Sequence, residues 1–383
     1  MNTSCLQENL SKGLSVVGRA VATNPTLPVL SHVLVKTVNG ATQQIHLAAT
    51  DLELSIACQV GAKVEKEGSL ALPARLLADL VNALPSERID LSRVNGSLHL
   101  ACGRNEADVR GVDAQEFPAL SAIEDKHTLE IDPVVLRQMI AQVAFAASGD
   151  ESRPVLTGVQ IRLNEQTLTM AAADGFRLSV CTARLPAKIG EPVSIIVPAR
   201  ALREMLRLSK DETSPVGIHI TAARSQILFH LHGQPGAPVT DVNLISQLIE
   251  GNYPDVSKIV PQSHKTRAVL AREAFLKACK TALIFARTEG NVVHLAIDPE
   301  AGQVKATASS IEMGETEIEL DATVEGEPVE IAFNVRFLVD ALSAMDEGYI
   351  ALETTSASHP GMLRPVGGEG FVHVIMPLSV RGS

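Results

Sequence analysis

Residues 45–60 read IHLAATDLELSIACQV, and residues 167–185 read TLTMAAADGFRLSVCTARL. Apolar and polar positions alternate there with the period of two that a half-buried antiparallel strand requires. Elsewhere the period lengthens. In LPARLLADLV (72–81) and VPARALREML (197–206) apolar residues recur three and four places apart, which predicts one face of an amphipathic helix. Pro73 and Pro198 stand where a helix tolerates proline in its first turn. NVRFLVDALSAM (334–345) repeats the pattern, with Asn334 placed to cap the helix.

These three helices share the wording Arg-x-Leu-x-acid: Arg75/Leu77/Asp79, Arg200/Leu202/Glu204 and Arg336/Leu338/Asp340. Each is preceded by another predicted helix, at 10–22, 133–147 and 272–286. Extended stretches follow the first two of these earlier helices, LPVLSHVLVK (27–36) and RPVLTGVQIRL (153–163), and VVHLAI (292–297) follows the third. Asp51 to Asp174, Leu30 to Leu156 and Arg75 to Arg200 are 123, 126 and 125 residues apart; Asp174 to Ser310 and Arg200 to Arg336 are both 136. Landmarks that keep their order and spacing twice over mark an internal repeat. The chain therefore reads as three α+β domains, 1–126, 127–256 and 257–383, each with two helices packed on antiparallel sheet. The ends of the first two match as well, EFPAL (116–120) against NYPDV (252–256).

Composition narrows the class. The 383 residues are 45% hydrophobic but only 3% aromatic, with no Trp, so the core must be aliphatic. No apolar run has the length of a membrane helix, and MNTSCLQENLSKGLSVV lacks a signal peptide's apolar segment. Cys5, Cys58, Cys102, Cys181 and Cys279 are odd in number and scattered, which speaks against a disulfide framework or zinc site and for a reducing compartment. A soluble cytoplasmic protein is expected. The net charge of −11 argues against holding DNA by charge neutralisation alone.

Several phrases carry a family resemblance. PTLPVL (25–30), ATDLEL (49–54), RPVLTGV (153–159), ADGFRL (173–178), YPD (253–255), FNVRFL (333–338) and VIMP (374–377) occur in the order found in the bacterial DNA polymerase III β subunits, the replication sliding clamps. The chain resembles that family over its whole length. The resemblance implies a head-to-tail homodimer, each chain half of a closed ring that encircles double-stranded DNA with its helices lining the hole. It also implies a groove between the second and third domains for short linear peptides of the DNA polymerase catalytic subunit, the clamp loader and repair proteins. No catalysis of its own, no cofactor and no membrane are expected, although such a subunit is counted with its holoenzyme's nucleotidyltransferase.

A ring lined by helices makes a charge prediction. The six helical windows together carry +7 and the remainder −18, so the acid lies outside them. Arg200, Arg203, Arg207, Lys210, Arg272, Lys277, Lys280 and Arg287 are the DNA-facing candidates. Arg75, Arg200 and Arg336 have a competing reading as repeat-structural groups that pair with strand ends. Carried over from the family, the peptide groove takes Leu156, Gly175, Phe176, Arg177, Leu178, Pro254, Ile259, Asn334, Phe337, Val374, Met376, Pro377 and Leu378. Aliphatic and Met side chains would give an adaptable floor, and Arg177 and Asn334 would bond a peptide backbone. Leu156, Leu178 and Val374 have the plainer reading of core residues. Phe176 and Ala173 stand where family members often carry His and Thr. The tail SVRGS (379–383) extends past the groove motif and would crowd it. The dimer seam implied is an edge strand around Ala107 and Val109 against a helix around Leu283 and Ile284.

Enzymatic readings find little support. There is no P-loop, nucleophile elbow or zinc-protease motif. FHLH (229–232) sets His230 and His232 on one strand face as two metal donors, but no third stands at a suitable spacing, so a solvated face is the expectation. GGEG (367–370) reads as a turn, not a phosphate loop. A specialised clamp paralogue and a repeat scaffold unrelated to DNA are the remaining alternatives.

Overall fold

The computed structural model describes residues 1–40, 42–120, 129–186, 190–234, 236–368 and 370–379. The boundary near 126 and tail residues 380–383 lie outside them. The α-helices are α1 (Gln7–Val17), α2 (Ala74–Ala83), α3 (Pro133–Val143), α4 (Ala199–Leu208), α5 (Arg272–Ala286) and α6 (Val335–Ser343). Each overlaps an expected helix, but α1 starts and stops earlier than 10–22 and α3 stops short of 147, both passing into a 3₁₀ turn. Asn334 caps α6 as expected, its Oδ1 accepting from Arg336 N at 3.0 Å.

One expectation needs refinement. The stretches 27–36 and 153–163 are not extended throughout but open with a 3₁₀ turn, Pro28–Ser31 and Pro154–Thr157. Proline fixes φ, and the hydroxyls of Ser31 and Thr157 fold back to the carbonyls of Pro28 and Pro154, each at 2.7 Å. The same local device therefore serves both repeats.

The chain forms two compact units, Met1–Arg137 with Arg200–Leu248, and Gln138–Ala199 with Ile249–Ser383. Both units take strands from the second predicted repeat. The first unit holds a five-stranded sheet ending at the edge strand Asn105–Arg110, and an eight-stranded sheet. The eight-stranded sheet is continuous because Leu54–Gly61 pairs antiparallel with Thr240–Gln247. This pairing is the first seam. α1 lies on that sheet through Gly13, where a Cβ would come within 2.7 Å of Leu47 and 2.6 Å of Val60. The second unit holds a twelve-stranded sheet, continuous because Arg177–Arg184 pairs antiparallel with Phe371–Ile375. That pairing is the second seam.

The buried core is aliphatic, as the composition requires; Phe229, Phe275 and Phe333 are its largest fully buried side chains. All five cysteines are buried free thiols. Burial pushes the Cys5, Cys58 and Cys181 thiols up to about 12, which keeps them protonated and inert. Among the described residues no helix is long and apolar enough to cross a membrane.

Candidate functional site

The second seam gathers most of the residues carried over for peptide docking. Strand register sets Leu178 against Val374 and Ser179 against His373. Leu178 and Val374 are buried together with Ala171, Ala173, Val256 and Met362, and Tyr253 and Val260 pack against them. Two of the three residues with a plainer core reading thus belong to the core, while Leu156 is half-buried in the 3₁₀ turn beside Arg153. Tyr253 ties the end of the second repeat to the sheet, its hydroxyl accepting from Ala173 N at 2.9 Å. Burial raises that phenol to about 12.

The turn Asp174–Arg177 positions the rim. Asp174 Oδ1 accepts from the backbone N–H groups of Phe176 and Arg177, at 2.9 and 3.0 Å. Gly175 lies at φ +94°, where a side chain would be strained. The turn lifts Phe176 out of the sheet, 60% exposed. Met376, 44% exposed, is bound to it through Met376 N donating to Phe176 O at 2.8 Å. Pro254 and Ile259 are exposed on the segment that holds Val256 in the core. Phe176, Met376, Pro254 and Ile259 thus present apolar surface around a closed apolar floor.

Arg177 departs from its expected role. Its guanidinium is only 10% exposed and is committed internally. Nε donates to Asp174 Oδ2 at 3.0 Å, one terminal nitrogen to Asp340 Oδ2 at 2.6 Å, and the other to the Phe145 carbonyl at 2.9 Å. It also stacks over the Phe337 ring, 4.4 Å from the centroid. A group with three donors spent inside the protein organises the cleft wall rather than reading a peptide. Asn334 likewise spends its side-chain oxygen on capping α6. Leu378 turns away from the Leu178 floor: its N–H bonds Ala332 O at 2.8 Å, and it lines a separate cavity of about 300 Å³ with His294 and Ile311. Pro377 is half-buried on the way there.

The sequence did not single out Phe145, Asp340 or His373 for this site. Asp340 was visible only as the acid of the third helix repeat. His373 is fully buried, with Nδ1 2.6 Å from Ser179 Oγ; burial, then Arg177, drives its pKa down to about 3. Nothing in a lone buried histidine's local sequence announces that pairing.

The basic candidates divide. On α4, Leu202 and Met205 are buried while Arg203 and Arg207 are exposed, and Lys210 beyond the helix is exposed too. On α5, Phe275, Ala278 and Cys279 face inward while Lys277, Lys280 and Arg287 are exposed. Arg200, half exposed, pairs with Asp51, so the strand-end reading holds for it. Arg75 instead meets Asp79 on its own helix at 3.9 Å. Arg272 corrects an expectation: it is half-buried and donates to the carbonyls of Glu347 (3.1 Å) and Leu342 (3.3 Å) near the C-terminal end of α6. Unpaired helix-end carbonyls attract a cation there, which takes it from the DNA-facing set. Ala107 and Val109 lie on the edge strand of the five-stranded sheet, Val109 buried and Ala107 half-buried; on α5 Ile284 is exposed and Leu283 half-buried.

Repeated units of two helices on antiparallel sheet, fused edge to edge by two such seams, define a clamp-domain protein. Comparison with known proteins assigns the family. Models of the N-terminal, central and C-terminal domains of the DNA polymerase III beta subunit match residues 1–121, 130–255 and 257–379. The beta sliding clamp of Synechococcus elongatus is 32% identical over 383 residues, the whole of both chains. That of Bacillus subtilis is 29% identical, with 99% of each chain covered. The crystal structure of the B. subtilis DNA polymerase sliding clamp superposes with a TM-score of 0.91 at 28% identity, covering 99% of each chain. The Pseudomonas aeruginosa beta subunit gives 0.88 at 26%, covering 99% of this chain and all of that one. The chain belongs to the DNA polymerase III beta subunit family, the beta sliding clamps.

Proposed function

We propose that this chain is a non-catalytic processivity clamp. Two copies, joined head to tail, close a ring around duplex DNA and hold the replicative polymerase and other partners to it in the cytoplasm. The domain limits that serve this reading are 1–126, 127–256 and 257–383. Retention comes from topology, so a net charge of −11 is no obstacle. The exposed Arg203, Arg207, Lys210, Lys277, Lys280 and Arg287 supply loose, sequence-independent phosphate contacts. The Asn105–Arg110 edge strand is the surface offered to the partner copy, with Leu283 and Ile284 on the other side of that joint.

The observation that carries the partner-binding half is the apolar rim of the second seam, where Phe176 and Met376 stand exposed over the Leu178/Val374 floor. Such a surface suits short peptides with one or two large apolar anchors. The polymerase, clamp loader and repair proteins would dock through such peptides.

Loading on nicked circular DNA followed by linearisation tests the ring. Release on cutting is expected; complexes that ignore the cut but dissolve with added salt would refute it. Mass photometry should give twice the 40.7 kDa chain mass. Phe176→Ala combined with Met376→Ala should weaken a polymerase tail peptide at least about tenfold, since both side chains are surface anchors, while leaving the dimer intact. Unchanged affinity would remove the groove assignment.

A further inference from the structure

We propose that His230, His232 and Asp241 form a binding site for a divalent transition-metal ion of zinc's type. His230 and His232 stand two residues apart at the end of the Gln226–Leu231 strand, so both imidazoles leave the same face. The third donor comes from the neighbouring strand, Thr240–Gln247. Register sets His230 opposite Asn243 and Leu231 opposite Val242, and Asp241 N donates to His232 O at 3.2 Å. On its other side the same strand carries an extra residue: Thr240 faces Gln59, yet Asn243 faces Ala57. Asp241 absorbs this bulge at φ +46°, and the bulge re-aims its carboxylate toward the two histidines.

One donor atom from each of the three residues lies within 4.8 Å of the other two. His230 Nε2 and Asp241 Oδ1 are 3.2 Å apart, and the two imidazole centroids are 4.3 Å apart. Two ligands of a tetrahedral zinc ion, each about 2 Å from the metal, lie about 3.3 Å from one another. The His230–Asp241 pair already has the length of such an edge, and His232 is exposed and can close on it by a side-chain rotation. A second observation points the same way. Asn243 is only 7% exposed, and its Oδ1 has no hydrogen-bond partner among the described residues, while its Nδ2 donates to Asp241 O at 3.0 Å. An unsatisfied buried acceptor beside the cluster suits an outer-shell role, accepting from a metal-bound water in the fourth position. Two imidazoles and one carboxylate favour zinc, nickel or copper over magnesium or calcium. The ion would clasp the two ends of the hairpin between these strands.

The full-length, untagged, chelator-stripped chain is titrated with Zn²⁺ by calorimetry and with Co²⁺ by visible spectroscopy. One ion per chain, intense d–d bands of tetrahedral cobalt, and a rise in melting temperature with Zn²⁺ are expected. His232→Gln alters an exposed side chain, and Asp241→Asn keeps a residue that tolerates the bulge conformation. Each should lower Zn²⁺ affinity at least about tenfold and abolish the melting shift, with the apo melting temperature unchanged. No uptake by the native chain, or undiminished uptake in either variant, would overturn the site and leave an ordinary His–Asp pair.

Discussion

The two seams are built to one plan and filled differently. Each begins at an Asx turn: Asp51 Oδ1 accepts from Glu53 N and Leu54 N in the first, and Asp174 Oδ1 from Phe176 N and Arg177 N in the second. Each is closed by a matching backbone bond, Gln247 N to Glu53 O and Met376 N to Phe176 O. The first seam then pairs Leu54 with Ser246 and Ile56 with Leu244, and sets polar Glu53 and Gln247 at its rim. The second pairs Arg177 with Ile375 and Ser179 with His373, and sets Phe176 and Met376 at its rim. The first seam buries Leu54, Ile56 and Leu244 with Ser246, whereas the second encloses Arg177, Ser179 and His373 beside its apolar floor of Leu178 and Val374. The second rim sets Phe176 and Met376 in water above a packed floor, whereas the first rim exposes the single apolar side chain of Leu52 among polar neighbours and borders a cavity of about 120 Å³ lined by Leu52, Glu53 and Pro118 among others. One duplicated joint therefore carries a mainly polar rim in one place and a mainly apolar rim in the other.

The largest test of this contrast is to truncate the residue that follows each turn. Arg177→Ala leaves Asp174 Oδ2 and the Phe145 carbonyl without the guanidinium, while Asp174 Oδ1 keeps its two backbone donors. The Asp340 arm, 42% exposed, is screened and contributes less. The loss should be about 3 kcal/mol, the scale for breaking a largely buried ion pair. Leu54→Ala, 2% exposed, should cost about 2 to 3 kcal/mol by losing apolar burial and leaving a cavity. Urea unfolding separates the two mechanisms: added salt should narrow the Arg177 deficit slightly and leave the Leu54 deficit alone. An Arg177→Ala variant as stable as the native chain would mean the polar interior of the second seam is ornamental.

The buried histidine gives a smaller, pH-dependent difference. His373 is held near a pKa of about 3 by burial, and secondarily by Arg177. In the unfolded chain it titrates near 6.5. Above that value it is neutral in both states and contributes nothing. Between about 6.5 and 3 the unfolded chain binds a proton that the folded one refuses, so stability falls as pH drops. From pH 7.5 to 5.5 this removes about 1 kcal/mol. His373→Leu should flatten that interval, whereas the first seam, with Ile56 and Leu244 at the equivalent positions, should show no such slope of its own. An unaltered pH profile in the variant would assign the acid sensitivity elsewhere.

Much of this architecture was legible in the chain. Helix periodicity and the constant offsets gave the repeat, with Asp51 and Asp174 among its landmarks, but the strand-like alternation around them concealed the turns that they make. The role of Arg177 was not legible, because its partners Asp174, Asp340 and Phe145 converge only when the second and third repeats share a sheet. Arg272 misled for a related reason: a helix-start arginine reads as a solvated charge until the carbonyl end of α6 arrives beside it. The third member of the His230 cluster was hidden too. It stands nine residues beyond His232 and reaches it through a bulge, which no spacing rule anticipates.

The smallest expected effect concerns the arginine that reaches the first turn. Arg200 approaches Asp51 from α4, and its side chain is 50% exposed where that of Arg177 is 10%. Asp51 keeps its two backbone donors whether or not the guanidinium is present. Arg200→Ala should therefore cost at most about 1 kcal/mol, because the guanidinium stands half in water although Asp51 itself is 11% exposed. In a double-mutant cycle with Asp51→Asn the coupling should be small and should vanish in high salt. A coupling above about 2 kcal/mol, the range of buried pairs, would show that both seams depend on their arginines and would erase the contrast between them.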